Sequence, residues 1–238
     1  MVAKGGPSPK PWRAKRVPPS LPASLSVAEL PRDEISEEVA LSGLRFAGLD
    51  LASRRARLID IDGCLFETTS LAGGELERAS VLDSVFVGCD LANLRITHSS
   101  LARVSLTGCR ATGLVVTGST LRQVTMRDCT ADLSVFRFAT LTHVDLVDCR
   151  LQGADFVSAD LTGAVFRRCD LTRAELSQAK ARGAVFVDCT WDGVRGVSSL
   201  AGATIVHGSP LDAHAFMVAT TTSLGIRLGD PADYQEGG

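Results

Sequence analysis

The sequence predicts an all-β fold, a four-sided solenoid of about eight coils built from short strands. Three observations support this prediction. Every fifth residue from Leu41 to Trp191 is apolar, glycine recurs at one phase of the same five-residue unit, and cysteine recurs every twentieth residue. A short fixed period over most of a chain is typical of a repeat architecture, in which each unit packs on its neighbours.

The five-residue unit has two inward positions and one turn. If the apolar fifth residue is i, position i−2 is mostly small or moderately apolar, as at Cys89, Val104 and Ala159. Position i+2 is glycine at twelve places, among them Gly63 and Gly153, which indicates a recurring turn with positive φ. Positions i−1 and i+1 hold most of the polar residues. Such a unit fits neither an α-helix nor a long strand.

A second period of twenty residues is superimposed on the five-residue period. It is clearest at position i−2, in Cys89, Cys109, Cys129, Cys149, Cys169 and Cys189. Twenty residues are four units, so we expect a square coil with one unit on each side. Equivalent residues then stack at the strand spacing of about 4.8 Å.

The units resemble those of the pentapeptide repeat family, whose consensus is Ala, Asp or Asn, Leu and two variable residues. Matching units include Ala-Asp-Phe at 154–156, Ala-Asp-Leu at 159–161, and Cys-Asp-Leu at 89–91 and 169–171. The resemblance covers residues 41–205 and implies a right-handed quadrilateral β-helix with i and i−2 pointing inward. Arg54 and Thr69 occupy inward positions and Gly74 leaves one nearly empty, so we expect an irregular or partly open first coil.

The N-terminal flank divides into a tail and a cap. Residues 1–24 are rich in Pro, Lys and Gly with little to bury, which predicts a disordered basic tail. A solvated tail is favoured over one that contacts nucleic acid, because Trp12 among five cations is weak support for nucleic-acid binding. Residues 25–40 include Val27, Leu30 and Ile35 and are predicted to cover the first coil, since a solenoid must protect its open ends.

The C-terminal flank, residues 206–238, predicts a helical cap and tail. Ser209 and Pro210 are suited to the N-cap and first position of a helix, and the threonines at 220–222 are expected to end it. Leu211 and Phe216 belong to its apolar face. In the family such a cap often carries a homodimer contact, so the resemblance implies a homodimer here, and capping alone explains the same residues equally well.

Composition argues against an enzyme and against a membrane protein. The chain has no Gly-rich phosphate loop, no Ser-His-Asp arrangement and no paired carboxylates, so we expect no catalytic residues and no cofactor. It has no signal-peptide core and no apolar run of transmembrane length, which predicts a cytoplasmic protein.

The seven cysteines are predicted to have a structural role in packing. The four histidines are predicted to be surface residues without a role in a site. Every cysteine sits at i−2, where other units have Ala, Val or Ser, so packing explains the ladder better than metal binding or disulfides. The histidines, among them His98 and His143, show no metal-ligand spacing. We therefore expect no metal site.

The charges bear most directly on function. Some family members imitate duplex DNA with rows of acids and bind DNA gyrase, which protects it from quinolones or regulates it, so the resemblance suggests gyrase as a partner. Here residues 41–195 contain 18 acidic and 18 basic residues, which weakens the hypothesis that this chain imitates DNA. A C-terminal acidic patch is the candidate partner-binding site: Asp145, Asp148, Asp155, Asp160 and Asp170. The alternative is a protein–protein scaffold or adaptor without a topoisomerase role.

Overall fold

The computed structural model describes residues 16–206 and 210–223 of the 238-residue chain. It is a parallel β-solenoid of about nine turns with one short C-terminal helix, which confirms the predicted fold class. Each turn takes twenty residues, because Ser100 pairs with Thr120 and Thr120 with Thr140. None of the helices in this part of the chain has the length and apolar content to cross a membrane.

The strands are short because each spans one side of the coil before the chain turns. They are β1 (Ser26–Val27), β2 (Ala40–Ser42), β3 (Leu44–Ala47), β4 (Arg55–Arg57), β5 (Asp60–Asp62), β6 (Leu65–Glu67), β7 (Glu75–Glu77), β8 (Ser80–Leu82), β9 (Val85–Val87), β10 (Arg95–Thr97), β11 (Ser100–Ala102), β12 (Ser105–Thr107), β13 (Thr120–Arg122), β14 (Thr125–Arg127), β15 (Thr140–Thr142), β16 (Asp145–Val147), β17 (Val165–Arg167), β18 (Val185–Val187) and β19 (Thr204–Val206). The helix is α1 (Pro210–Ser223), and a 3-10 turn covers Val197–Leu200.

The strands and single-residue bridges form four sides. Side 1 is a six-stranded sheet of β2, β5, β8, β11, β13 and β15, and side 2 is a ten-stranded sheet of β1, β3, β6, β9, β12, β14, β16, β17, β18 and β19. Side 3 is a column of bridges from Asp50–Ser70 to Asp170–Thr190. Side 4 begins with β4, β7 and β10 and continues as bridges from Arg95–Val115 to Glu175–Arg195.

The interior is a stack of like side chains, as the periods predict. On side 2, Phe46, Phe66 and Phe86 stack with ring centroids 4.5 and 4.6 Å apart, and on side 4 the Phe136 and Phe156 centroids are 5.0 Å apart. These distances equal about one strand spacing, so the ladder that pairs the backbones also aligns the rings. Burial of this apolar column is the main stabilising contribution to the fold.

The turn at i+2 has the positive φ that the glycines predict. Gly63 has φ 60° and Gly153 has φ 65°, and the same conformation is adopted where the residue is not glycine, as at Asp148 with φ 54° and Phe138 with φ 58°. The left-handed region costs an L-residue roughly 1–2 kcal/mol. The coil therefore imposes this conformation at the corner whatever residue occupies it.

The expected irregular first coil is wrong. Thr69 is fully buried, and its hydroxyl donates to the carbonyl oxygens of Phe46 and Glu67 at 3.1 and 3.0 Å. Arg54 turns outward and pairs with Glu34 at 2.6 Å. The register therefore holds, because one polar side chain finds carbonyl acceptors inside and the other reaches solvent.

Residues 16–25, here called the strap, run along the corner between sides 1 and 2. The backbone N–H of Ser20 donates to Asp83 at 3.0 Å, and the Arg16 guanidinium donates to Asp145 at 2.8 Å and to the carbonyl of Gly163 at 3.1 Å. Residues 16–24 belong to the predicted tail, and in the structure they lie on the solenoid. Residues 1–15 are outside the described residues, so their disorder stays a prediction.

Each end of the core is covered by a different element. At the N-terminal end, Ile35 is 2% exposed, whereas Val27 is 64% exposed on β1. At the other end Trp191 is fully buried and its ring meets Phe216 of α1 with centroids 5.0 Å apart. The helix begins at Pro210 as predicted and ends at Ser223, just beyond the threonines. Ser209 and residues 224–238 lie outside the described residues.

Candidate interaction surfaces

The cysteine ladder lies along the corner between sides 2 and 3 and points inward. Each thiol from Cys89 to Cys169 donates to two carbonyl oxygens, one on its own coil and one on the coil below. For Cys129 these are Arg127 at 3.2 Å and Leu106 at 3.7 Å. Thr69 makes the equivalent pair of bonds one coil before Cys89. A thiol and a hydroxyl thus fill the same position, which supports a packing role.

The thiols are poorly suited to act as nucleophiles or metal ligands. All seven cysteines are free and buried, and burial raises the pKa of the Cys64 thiol. Within residues 16–206 and 210–223, no group of three or more His, Cys, Asp or Glu side chains could hold a metal ion. His98 and His143 occupy left-handed corner positions on different coils, His214 is exposed on α1, and His207 is not described.

We expect the native protein to react negligibly with a thiol reagent and all seven thiols to react in guanidinium, as counted by Ellman absorbance. Because the folded pKa of Cys64 is raised, the unfolded chain loses the Cys64 thiol proton first. The contribution of this thiol to stability should therefore fall as pH rises past the ordinary thiol pKa of about 8.5. Rapid modification of several thiols without unfolding would contradict a packing role for the ladder.

Many outward carboxylates accept hydrogen bonds from backbone N–H groups in the turns. The carboxylates of Asp90, Asp160 and Asp170 each accept the backbone N–H two residues ahead at 3.0 Å. The aspartate of the Ala-Asp-Leu unit thereby satisfies a backbone donor that the corner leaves unpaired. These acids have a structural use that requires no partner.

Many acids are also paired with arginines on an adjacent coil. Asp83 pairs with Arg103, and this hydrogen-bonded guanidinium holds the pKa of the carboxyl below its usual range. Further pairs are Arg55–Glu75, Arg57–Glu77, Arg110–Asp90, Arg150–Asp132 and Arg195–Glu175. A row of carboxylates that imitates DNA phosphates needs unpaired charge, and these pairs remove it.

The structure does not bring the five predicted patch acids together. Asp145 lies on side 2, Asp148 at the corner between sides 2 and 3, Asp155 on side 4, Asp160 on side 1 and Asp170 on side 3. Their spacing differs from multiples of twenty residues, so the coil distributes them around the rod. Whether any of them contacts a partner stays a prediction.

Three of these acids are also paired. The structure places Arg16 on Asp145 at 2.8 Å, and Arg168 and Arg137 on Asp148 and Asp155, each at 2.5 Å. Adjacency in sequence predicted a negative patch that the solenoid geometry disperses and its arginines neutralise.

Side 4 carries an apolar patch that the sequence reading missed. Leu133 and Phe138 occupy the two corners that bound this side on one coil, and they are 65% and 64% exposed. Between them lies Val135, half-buried, bridged to Val115 on the coil below. We call Val115, Leu133, Val135 and Phe138 the side 4 patch.

The two corner residues of this patch destabilise the free protein in two ways. Leu133 has φ 56° and Phe138 has φ 58°, a conformation that bulky residues rarely adopt, and both expose large apolar side chains to water. Leu133 also leans over Gly153, where a Cβ would lie 3.0 Å from its Cδ2 atom. The signal that could have revealed the patch is a large apolar residue at i+2, where most units have Gly or a polar residue.

Helix α1 has both an inward and an outward apolar side. Phe216 packs edge-on against Trp191, as a cap requires. Leu211 is 80% exposed, and Met217 and Val218 are 51% and 39% exposed. The helix therefore closes the core and also presents apolar side chains to the outside.

Two protein-family models match the repeat sequence of this chain. A model described as a pentapeptide repeat region matches residues 59–136, and a model of pentapeptide repeats in eight copies matches residues 134–173 and 149–188. Together the matches span residues 59–188, more than half of the chain. A search of curated proteins gives no match.

Solved structures with similarity to the chain include other repeat proteins. A trypsin-treated variant of QnrB1, a plasmid-mediated fluoroquinolone resistance protein, is 18% identical, with 82% of this chain and 100% of that chain covered and a TM-score of 0.33. HetL, a pentapeptide repeat protein involved in heterocyst differentiation regulation from the cyanobacterium Nostoc sp. strain PCC 7120, is 19% identical, with 71% and 87% covered and a TM-score of 0.26. The unbroken five-residue register, the stacked coils and the family matches lead to one conclusion: the chain belongs to the pentapeptide repeat family.

Proposed function

We propose that this protein is a non-catalytic protein-interaction scaffold that binds a protein partner through the side 4 patch. The observation that carries the proposal is the pair Leu133 and Phe138, two large apolar side chains held outward in a left-handed conformation. Such a pair costs stability in the free protein, and an interface that buries it recovers apolar contact. The rigid coil holds both side chains in place before binding, which lowers the entropic cost of association.

The surroundings of the patch suit a protein interface. The Arg137–Asp155 ion pair lies on the same side, beside Val135, and Val157 on the next coil is half-buried. An apolar centre with a charged, paired rim is the usual arrangement of a non-obligate interface. The partner is expected to present an apolar pocket or ridge of complementary shape.

A double variant with Leu133→Asn and Phe138→Asn should lose partner binding by about 30-fold or more, since a buried aromatic hot spot contributes about 2 kcal/mol or more. Asparagine tolerates the left-handed corner, so the coil should stay folded. The measurement is quantitative enrichment of partners from cells that make the protein, followed by a Kd for the partner identified.

The matched control is Val87→Asn, which changes a 41%-exposed apolar residue on side 2. Circular dichroism verifies that each variant is folded. Recovery of the same partners in the same amounts with the double variant and the wild type would contradict binding through the side 4 patch.

Binding of DNA gyrase as a mimic of duplex DNA is the more specific function that the family resemblance suggests. It has weaker support than the scaffold, because the described acids are largely paired or capping turns. We expect purified protein to leave gyrase supercoiling unchanged across a concentration series, with and without a fluoroquinolone. Inhibition or drug protection by the folded protein would establish gyrase as a target.

A homodimer through α1 is a further part of the proposal. Leu211 and Val218 are seven residues apart, so they lie on one face of the helix, and both are exposed. Sedimentation of the wild type and of Leu211→Glu compares the oligomeric state with and without this face. The inward Phe216 is unchanged in the variant, so the cap is kept.

A further inference from the structure

One column of outward side chains on side 4 has opposite charges at equal distances on either side of Val135. Backbone pairing joins the column, one residue on each coil, in the order Glu75, Arg95, Val115, Val135, Asp155, Glu175 and Arg195. Arg95 lies two coils before Val135, and Glu175 lies two coils after it. Glu75 lies three coils before Val135, and Arg195 lies three coils after it. The charges of the column therefore complement those of the same column turned end to end.

We propose that a second copy of this chain binds the side 4 patch, with the two rods side by side and antiparallel. The copies are related by a rotation of 180° about a line that runs along the strand direction at Val135. This rotation reverses the order of the coils and keeps the column opposite itself, so the interface uses the same surface of both copies. The inference rests on the proposed function, because it names the partner of the same patch.

The rotation places the apolar centre of the patch against itself. Leu133, Val135 and Phe138 lie on the coil at the axis, so each of them faces its counterpart in the second copy. The two exposed corner residues are thereby buried on both copies at once. The contact recovers the apolar burial that their outward positions forgo in the free protein.

Opposite charges flank the apolar centre at both ends. Arg95 is exposed, forms no ion pair with an acid among the described residues, and faces Glu175 of the second copy. Arg195 pairs with Glu175 of its own chain at 2.9 Å and faces Glu75 of the second copy. Glu75 in turn pairs with Arg55 at 3.5 Å. Positive and negative charges thus alternate both along each copy and between the copies, which is the complementarity that selects a partner.

The coils next to the axis add no unpaired charge. Val115 faces Asp155 of the second copy, and that carboxylate is already paired with Arg137 and accepts the backbone N–H of Val157 at 2.9 Å. The two Arg137 guanidiniums meet at the axis. Each lies between the Asp155 carboxylate of its own chain and that of the second copy, so the four charges alternate and sum to zero.

The charges also exclude the neighbouring registers. A shift of one coil in one direction places Glu75 opposite Glu175 of the second copy. A shift of one coil in the other direction places Arg95 opposite Arg195. Like charges brought together at an interface are repulsive, so the register centred on Val135 is the favoured one.

The size of the contact predicts a reversible dimer. Glu75 and Arg195 are six coils apart, about 29 Å at the spacing of paired strands. With a side about 15 Å wide, the two copies bury about 900 Å² in total, which is at the low end of specific interfaces. We therefore expect a dissociation constant in the micromolar range.

Sedimentation equilibrium of the purified full-length protein over a concentration series tests the proposal. Every sample carries Leu211→Glu, so that α1 does not contribute a second contact. We expect a monomer–dimer equilibrium in this parent protein. Arg95→Glu and Glu175→Arg should each weaken it about tenfold or more, because each places like charges opposite one another at two points of the dimer. The matched control is Arg122→Glu, which reverses an exposed arginine on side 1 and should leave the Kd unchanged.

An equimolar mixture of the Arg95→Glu and Glu175→Arg proteins is the decisive sample. In a mixed dimer both contacts again join opposite charges, so the mixture should associate to within about threefold of the parent Kd. Misfolding of either variant cannot produce this recovery. Circular dichroism verifies that each protein is folded before it is mixed.

A parent protein that stays monomeric at high micromolar concentration would overturn the proposal. So would equal Kd values for the parent and Arg95→Glu, or a mixture that associates no more tightly than its components. These failures differ from failure of the proposed function, which is tested by the partners recovered with Leu133→Asn/Phe138→Asn. A monomeric protein whose patch captures a different protein would overturn this inference and support the proposed function.

Discussion

Gly196→Ala should lower the free energy of unfolding by about 2–5 kcal/mol. Gly196 has φ 73°, and a Cβ at this residue would lie 2.6 Å from the backbone carbonyl carbon of Leu176 and from the Cα of Ser177. These are backbone atoms of the coil below, so neither can rotate away. Chemical denaturation followed by circular dichroism measures the loss.

The backbone approaches closely at Gly196 because the five-residue repeat ends there. Gly196 occupies the position where the five-residue register would place an inward apolar residue, and the chain instead enters the 3-10 turn Val197–Leu200. After this turn Phe186 pairs with Ile205, nineteen residues ahead instead of twenty. Close approach of the backbone at Gly196 permits this change of register beneath α1.

Gly183→Ala is the matched control. Gly183 has φ 70° and is also near the C-terminal end, but no atom lies within 4 Å of the Cβ position. The substitution should cost only the left-handed conformation, about 1 kcal/mol. Equal losses at Gly183 and Gly196 would contradict the described contact between residue 196 and the coil below.

Phe156→Ala should destabilise the protein by about 3–5 kcal/mol. The Phe156 side chain is fully buried, stacks on Phe136 and meets Phe166 edge-on with centroids 5.8 Å apart. Its removal opens a cavity between coils whose backbones are fixed by the ladder, so the walls cannot collapse into it. The midpoint of denaturation in guanidinium reports the change.

Phe138→Ala provides the comparison within the same part of the rod. It removes the same side chain from a position that is 64% exposed, so stability should change by no more than about 0.5 kcal/mol. A large loss at Phe138 would show that this residue supports the fold, and the argument that it is kept outward for a partner would then fail.

The sequence was sufficient to predict the coil because both of its periods reflect packing. Residues at i and i−2 must be apolar or small to fit inside, and the twenty-residue spacing of Cys89 to Cys189 reports the stacking directly. The first coil was predicted to be irregular because Arg54 and Thr69 look unsuited to the interior. The carbonyl acceptors of Thr69 and the outward turn of Arg54 depend on side-chain geometry that the pattern does not contain.

The candidate site was harder to predict. Asp145 to Asp170 are close in sequence, but the coil turns by one side every five residues, so adjacency along the chain is not adjacency on the surface. Pairs such as Arg103–Asp83 lie twenty residues apart and become visible only when the coils are stacked. The side 4 patch depends on which corners Leu133 and Phe138 occupy, and that follows from the same stacking.

Site-specific photo-crosslinking at residue 138 tests whether the side 4 patch binds a protein partner. A protein in which p-benzoylphenylalanine replaces Phe138 is irradiated in cells that normally make it, beside a control with the same group at Val87. If the patch binds a partner, we expect a discrete covalent adduct with another protein at position 138 and no such adduct at position 87. No adduct at position 138, or the same adducts at both positions, would contradict partner binding through the side 4 patch.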